Sequence, residues 1–150
     1  MVRSEVVNGV WTIPAMRMKA GVEHVVPLSA AALDVLASLP SNGGLIFTVD
    51  GLTPIGGFGY FKRQFDRTVP LPNWTLHDLR RTARSLMSRA NVPERHAEAC
   101  LGHVVPGVAG IYDRHKYLDE MRRAYELLAS QIETIVNPPT GNVVAFRSGE

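Results

Sequence analysis

One helix-like segment of the sequence gathers residues that could bind a phosphate group. Between His77 and Arg95, both included, there are five arginines but only two acids, Asp78 and Glu94. At about 100° per residue, one arc of this helix is polar: it carries His77, Arg80, Arg81, Arg84 and Ser88. Guanidinium groups suit bidentate contacts with phosphate, so the segment favours a phosphodiester partner. A solvated helix face with extra arginines fits the same pattern, and charge alone leaves both interpretations open.

Within this segment Arg80 falls at the margin between the polar arc and an apolar arc. We expect its stem to pack and its guanidinium to be held in one place. Arg81 and Arg84 are expected to point further into solvent and to bind DNA. The apolar arc is typical of a core-facing helix: it comprises Leu76, Leu79, Ala83, Leu86, Met87 and Ala90. Thr75 and Asp78 have the spacing of a capping box, which predicts that the helix begins here.

The composition restricts the class of protein. A chain of 150 residues with 45% hydrophobic residues is long enough for one domain with its own core. Its single cysteine, Cys100, cannot form an intramolecular disulfide, which favours a reducing compartment. The sequence has neither a signal peptide nor an apolar run of about 18 residues, so we expect a soluble protein that is not exported and has no membrane partner. The 16 basic residues barely exceed the 14 acidic ones, so total charge is a weak clue to nucleic-acid binding.

The elements that must position these residues follow from turn and periodicity signals. Residues 1–28 predict a three-stranded antiparallel meander with turns at Asn8-Gly9 and Ala20-Gly21. Ser29 is the expected N-cap of the next helix. A helix of about a dozen residues is expected through Phe61, Phe65 and Arg67, and further helices are expected through 75–90, 93–102, 106–112 and 117–136. The sequence therefore predicts an α+β fold, mainly α, with a small N-terminal sheet on a helical bundle over residues 1–136, and a flexible tail at 137–150.

Other interpretations of individual residues stay open at this point. His96, Cys100 and His103 have a spacing that could place three zinc ligands on one helical face, but Cys100 is more simply a small buried residue. We therefore predict no metal site. Tyr112, considered alone, is more often a packed aromatic residue than a nucleophile.

Four residues, in this order, resemble the catalytic signature of the tyrosine recombinases, the phage-integrase family: His77, Arg80, His103 and Tyr112. The first two form His-x-x-Arg, His103 ends a Leu-Gly-His motif, and Tyr112 follows it after nine residues. Upstream, residues 11–19 and 24–29 are similar to the β-hairpin segment of prophage and genomic-island integrases. The resemblance runs in order from about Val7 to Leu128 and implies the catalytic-domain fold of that family.

The resemblance implies a role for each matching residue. Tyr112 matches the nucleophile, which attacks the scissile phosphate and leaves a 3′-phosphotyrosyl link. Arg80 and His103 match donors to the non-bridging phosphate oxygens. His77 matches a residue that assists proton transfer at the tyrosine, and Lys19 matches the lysine that protonates the leaving 5′-oxygen.

The resemblance also implies which partners the protein binds and which part of an integrase this chain represents. The substrate would be double-stranded DNA attachment sites, bound by a tetramer of the full-length protein that integrates or excises a prophage or genomic island. The resemblance also implies a cytoplasmic, nucleoid-associated protein of a bacterial cell. No ATP, metal or other cofactor is implied, because the phosphotyrosyl link conserves the bond energy. An earlier family arginine has no match, since Arg3 lies in the wrong context, and no segment of these 150 residues matches the amino-terminal DNA-binding domains of the family. We expect the carboxy-terminal part of a longer integrase. Loss of one phosphate-binding arginine is expected to cost on the order of 10²-fold or more in rate, so we expect this part alone to be inactive or only weakly active in recombination.

The last predicted helix has an apolar seam at helical spacing: it comprises Leu118, Met121, Tyr125, Leu128, Ile132 and Ile135. We expect the first half to pack on its own domain and the second half to serve assembly with another protomer. Two rival functions remain, a non-catalytic DNA-binding remnant of an integrase and an oligomerisation module that uses this seam.

Overall fold

A three-stranded antiparallel sheet adjoins five α-helices in the computed structural model, which describes residues 1–40, 43–103 and 117–139. The strands are β1 (Val6–Val7), β2 (Val10–Ile13) and β3 (His24–Pro27). The helices are α1 (Ala30–Ser38), α2 (Phe58–Thr68), α3 (Leu76–Arg89), α4 (Glu94–Cys100) and α5 (Leu118–Val136). The predicted fold class, mainly helical with a small N-terminal sheet, is confirmed.

The sheet is a meander in the order β1-β2-β3. Asn8 and Gly9 join the first two strands with φ values of 50° and 73°, as the predicted two-residue hairpin requires, and Val7 pairs with Val10. The connection from β2 to β3 is longer: a 3-10 helix, Ala15–Arg17, precedes a turn in which Gly21 has φ 64°. This longer connection carries Lys19 and returns the chain so that His24 pairs with Ile13.

Two predicted helix starts are confirmed by their caps. The Ser29 hydroxyl accepts a hydrogen bond of 3.3 Å from the amide of Ala32, at the start of α1. At α3 the Asp78 carboxylate accepts from both the backbone amide and the hydroxyl of Thr75, each at 2.8 Å. These bonds satisfy amide groups that a helix leaves without partners in its first turn, and they fix where α3 begins.

The core lies where α3, α4 and α5 meet. Its buried members come from all three helices and the turn after α3: they are Met87, Val92, Ala97, Cys100, Met121 and Ala124. The α5 helix also packs against β3, where Pro27 is fully buried, and so joins the sheet to the bundle. Because α3 and α4 share this core, their surfaces are fixed relative to one another.

Two apolar patterns are only partly buried in the described residues. On α3 the buried centre is Met87, whereas Leu76 and Leu79 are 46% and 59% exposed, so the predicted core-facing arc is wrong at its N-terminal end. Both side chains at that end of α3 are therefore about half exposed. On α5 the first half packs as expected, while Ile132 and Ile135 are 44% and 54% exposed.

Two expectations lie outside the described residues: the helix through 106–112 and most of the tail at 137–150. In the part of the chain that is described, no helix is both long enough and apolar enough to cross a membrane.

Candidate active site

Arg80 and His103 lie side by side although 23 residues separate them in the chain. Arg80 is half-buried in the second turn of α3, and its Nη2 lies 2.9 Å from Nε2 of His103, in the turn after α4. The same Nη2 donates to the carbonyl oxygen of Leu101. The guanidinium is therefore held against the turn that carries His103.

The turn that carries His103 is a Schellman cap, and this explains the Leu-Gly-His motif in physical terms. The amide of His103 donates to the Glu98 carbonyl at 3.1 Å, and the amide of Gly102 donates to the Ala99 carbonyl at 3.0 Å. Gly102 has φ 66°. This value lies in the left-handed region, which glycine adopts without the strain that a residue with a Cβ would have. The glycine thus ends α4 and turns the next residue, His103, toward Arg80.

Glu98 supports His103 from the opposite side of the imidazole. Its Oε2 contacts Nδ1 of His103, while its Oε1 accepts a hydrogen bond of 2.8 Å from Nε of Arg84. The Arg84 guanidinium and then the His103 ring hold the pKa of the Glu98 carboxyl below its usual range. A continuous row of charged and polar groups results, running from Arg84 through Glu98 and His103 to Arg80.

This row defines what His103 can do chemically. With Glu98 accepting from Nδ1, a neutral imidazole presents its Nε2 lone pair to Arg80, whereas a protonated one presents an N–H there. In the protonated form of the ring, His103 and Arg80 can both donate to one anion that lies beside Nε2. The arrangement suits a phosphate group whose two non-bridging oxygens accept hydrogen bonds from Arg80 and His103.

Glu98 is a residue that the sequence patterns do not single out. The signal that could have identified it is its position, five residues before His103 in a helix that ends at a glycine. In a Schellman cap the residue three positions inside the helix end lies close to the residue just beyond the glycine. A carboxylate at the first position is therefore within reach of a histidine at the second.

The two predicted DNA-binding arginines have different surroundings. The Arg81 side chain is 72% exposed and pairs with Asp78 at 2.9 Å. The Arg84 side chain is 26% exposed and bonds to Glu98 and Ser88, so the expectation that it points into solvent is wrong. The reason is that α4 packs beside α3 and presents a carboxylate to Arg84.

The remaining predicted site residues are not joined to this row by hydrogen bonds or ion pairs in the ranges described. His77 is exposed in the first turn of α3, three residues before Arg80. Lys19 is exposed in the connection between β2 and β3. Tyr112 lies outside the described residues. The structure thus brings together Arg80 and His103 of the predicted set.

Glu5 anchors the connection that carries Lys19. It pairs with Arg17, accepts from the indole N–H of Trp11 at 3.2 Å, and accepts from the Val2 amide at 3.0 Å. These donors, Arg17 first, lower the pKa of the Glu5 carboxyl to about 2. Arg17, which shares the turn with Lys19, therefore has a structural partner.

The three residues with zinc-like spacing face different neighbours. Cys100 is buried in the core, and burial raises the pKa of its thiol to about 11. The His96 ring packs 5.7 Å from the Tyr117 ring, while His103 faces Arg80 and Glu98. Across residues 1–40, 43–103 and 117–139, no group of three or more His, Cys, Asp or Glu is arranged to hold a metal ion.

Comparison with known proteins identifies the family of the chain. Residues 2–118 match the profile of the phage integrase family. The chain therefore belongs to the phage integrase family of tyrosine-type recombinases, whose members act in phage-related DNA recombination. The prophage integrase IntA of Escherichia coli strain K12 is 30% identical over 129 residues, which cover 75% of this chain and 28% of that relative. No solved structure matches the chain significantly.

Proposed function

We propose that this chain carries the catalytic centre of a site-specific DNA recombinase and that Arg80 and His103 grip the scissile phosphate. The single observation that carries the proposal is the 2.9 Å approach of Arg80 Nη2 to His103 Nε2, with Glu98 behind the imidazole. Positive donors fixed before the reaction stabilise the charge that develops on the phosphate in the transition state, and they need no rearrangement to do so.

The remaining residues would complete one transesterification. The Tyr112 oxygen attacks phosphorus, the bond from phosphorus to the 5′-oxygen breaks, and a 3′-phosphotyrosyl link forms. His77 helps to remove the phenol proton, and Lys19 supplies a proton to the leaving 5′-oxygen. Attack by a 5′-hydroxyl of another strand reverses these steps and releases the tyrosine. The balance of bonds is conserved, so the proposed reaction uses no ATP and no metal ion.

The substrate and setting are also proposals. We propose double-stranded attachment sites, bound by several protomers together, as the DNA substrate, and integration or excision of a prophage or genomic island inside a bacterial cell as the outcome. The chain spans 28% of the length of the prophage integrase it matches, and its similarity to that protein supports these proposals at the level of the family.

A covalent selection tests the chemistry and identifies the DNA target in the same experiment. Duplexes with a randomised central segment and a nick next to the scissile position are incubated with the 150-residue chain. The short strand released by cleavage diffuses away, so even a slow first step accumulates as a covalent adduct. We expect adducts that survive denaturation, share a sequence, and are absent with Tyr112→Phe. Salt-dependent binding with no adduct would instead support the non-catalytic DNA-binding function.

A further inference from the structure

The ring of His24 fills the inner side of the turn that carries His103. A Cβ added to Gly102 would lie 3.4 Å from both Cε1 and Nε2 of His24, so the imidazole is in direct contact with the glycine. His24 is the first residue of β3 and follows the connection that carries Lys19. A side chain from the sheet therefore lies against the turn that carries His103, one of the two residues proposed to bind the phosphate.

The polar edge of the His24 ring meets the end of α4. Burial, and to a smaller degree the charge of Arg80, lower the pKa of His24, while a hydrogen bond to the Cys100 backbone raises it in part. Burial thus favours the neutral ring, which can donate one N–H to the Cys100 carbonyl. Tyr125 of α5 also donates to that carbonyl, at 2.7 Å.

The last carbonyl groups of α4 thus have partners from three other elements. Helix ends leave their final carbonyls without partners inside the helix, and such groups must be satisfied when half-buried. Here Tyr125 and His24 serve Cys100, and Arg80 serves Leu101. The orientation of the turn, and with it the position of His103, depends on these contacts.

We propose that His24 is a positioning residue, which holds the turn at Gly102 so that His103 and Arg80 bind one phosphodiester together. This inference rests on the proposed function, in which the pair grips phosphate. His24 would also fix the start of β3 relative to the grip, and so the distance from the Lys19 connection to the phosphate. All three residues His24, Val25 and Val26 pair with β2, and the three atoms nearest to a Cβ built on Gly102 all belong to the His24 ring.

The test measures binding of inorganic phosphate to the full chain by NMR, from the ring resonances of His103 and the guanidinium resonances of Arg80. We expect His24→Ala to weaken phosphate binding by about tenfold, the effect of roughly one misaligned charge-assisted hydrogen bond. The control is Val26→Ala, which removes packing from the same strand. It should lower the midpoint of thermal unfolding at least as much and leave phosphate affinity unchanged.

Conservative variants separate positioning from packing. His24→Asn and His24→Gln place an amide N–H where the two ring nitrogens lie, and one of them should restore most of the affinity. His24→Phe fills the space without donating and should not. If His24→Ala binds phosphate like the parent protein, or loses no more affinity than Val26→Ala, the inference about His24 is wrong while the phosphate grip stands. If the parent protein and Arg80→Ala respond to phosphate alike, the grip itself is wrong, and both proposals fall together.

Discussion

Glu98 and His103 face one another across the glycine turn that ends α4, with a carboxylate oxygen of Glu98 against Nδ1 of His103. The contact orients the imidazole so that its other nitrogen, Nε2, meets Arg80 at 2.9 Å. Because Glu98 is itself bound by Arg84, the position of His103 depends on two helices. Four side chains thus set the geometry of the proposed phosphate grip.

Replacement of Glu98 by glutamine tests this support. The amide keeps the shape of the side chain but loses the charge that favours a donating Nδ1–H, so we expect phosphate affinity and DNA cleavage to fall about 10-fold to 100-fold, as for other residues that orient a ligand-binding histidine. Titration of phosphate and the rate of adduct formation measure the two effects. Glu94→Gln, at the exposed start of α4, is the matched control. Equal behaviour of the two variants would contradict a supporting role for Glu98.

The acid dependence of stability provides a second test of Glu98. Its pKa is below the usual 4.5, so the folded state favours the charged form, and the resulting stabilisation is present above pH 4.5. That stabilisation is lost as the pH falls through the lowered pKa. We expect the difference in unfolding free energy between the parent protein and Glu98→Gln to be constant at neutral pH and to shrink in acid. Denaturant unfolding measured between neutral and acidic pH checks this, and a difference that grows in acid would contradict it.

Arg81 and Arg84 should affect DNA binding differently, although each substitution removes one positive charge. Arg81 is largely exposed, so Arg81→Ala should lower the salt dependence of DNA binding by about one phosphate contact and leave His103 undisturbed. Arg84→Ala removes the partner of Glu98 and should also shift the His103 ring resonances. Binding isotherms at several salt concentrations, together with NMR of the histidines, distinguish the two. Identical effects of both variants would argue against the row from Arg84 to Arg80.

Gly102→Ala should destabilise the protein for two reasons, the positive φ of the residue and its contact with His24. Substitutions at two other glycines measure these effects separately. Gly102 has φ 66° and contacts His24, whereas Gly21 has φ 64° with nothing within 4 Å, and Gly44 has neither feature. We expect Gly44→Ala to be nearly neutral and Gly21→Ala to lower the unfolding free energy by about 1 kcal/mol. Gly102→Ala should lower it by about 1–3 kcal/mol, more than Gly21→Ala. Equal losses at 21 and 102 would mean that the turn accommodates the extra methyl group without displacing His24.

Much of the fold follows from local chemistry that the sequence displays directly. Asn8-Gly9 predicts a hairpin, Ser29 and Thr75 predict helix starts, and all three features are present where the residues indicate. Each depends on interactions over a few residues, so neighbouring side chains suffice to specify it. The longer connection between β2 and β3 is also consistent with a meander, although its 3-10 helix is not indicated by any of these signals.

The site depends on contacts between elements, and periodicity does not determine these. A helical pattern places Arg84 on a polar arc, but only the packing of α4 beside α3 shows that Glu98 covers it. The same limitation applies to Leu76 and Leu79, whose apolar type predicts burial although both side chains are about half exposed. Arg80 is a residue whose partial burial the pattern does predict. Its place between the apolar and polar arcs means that its stem packs while its guanidinium stays at the surface.

Identification of the residue joined to DNA tests the central claim most directly. Adducts from the nicked-duplex selection are digested with protease, and mass spectrometry locates the nucleotide-bearing peptide. We predict a 3′-phosphotyrosyl link at Tyr112, and no adduct from Arg80→Ala despite cooperative unfolding of that variant. A link at another residue, or an undiminished adduct from Arg80→Ala, would contradict the proposal that Arg80 and His103 grip the phosphate that Tyr112 attacks.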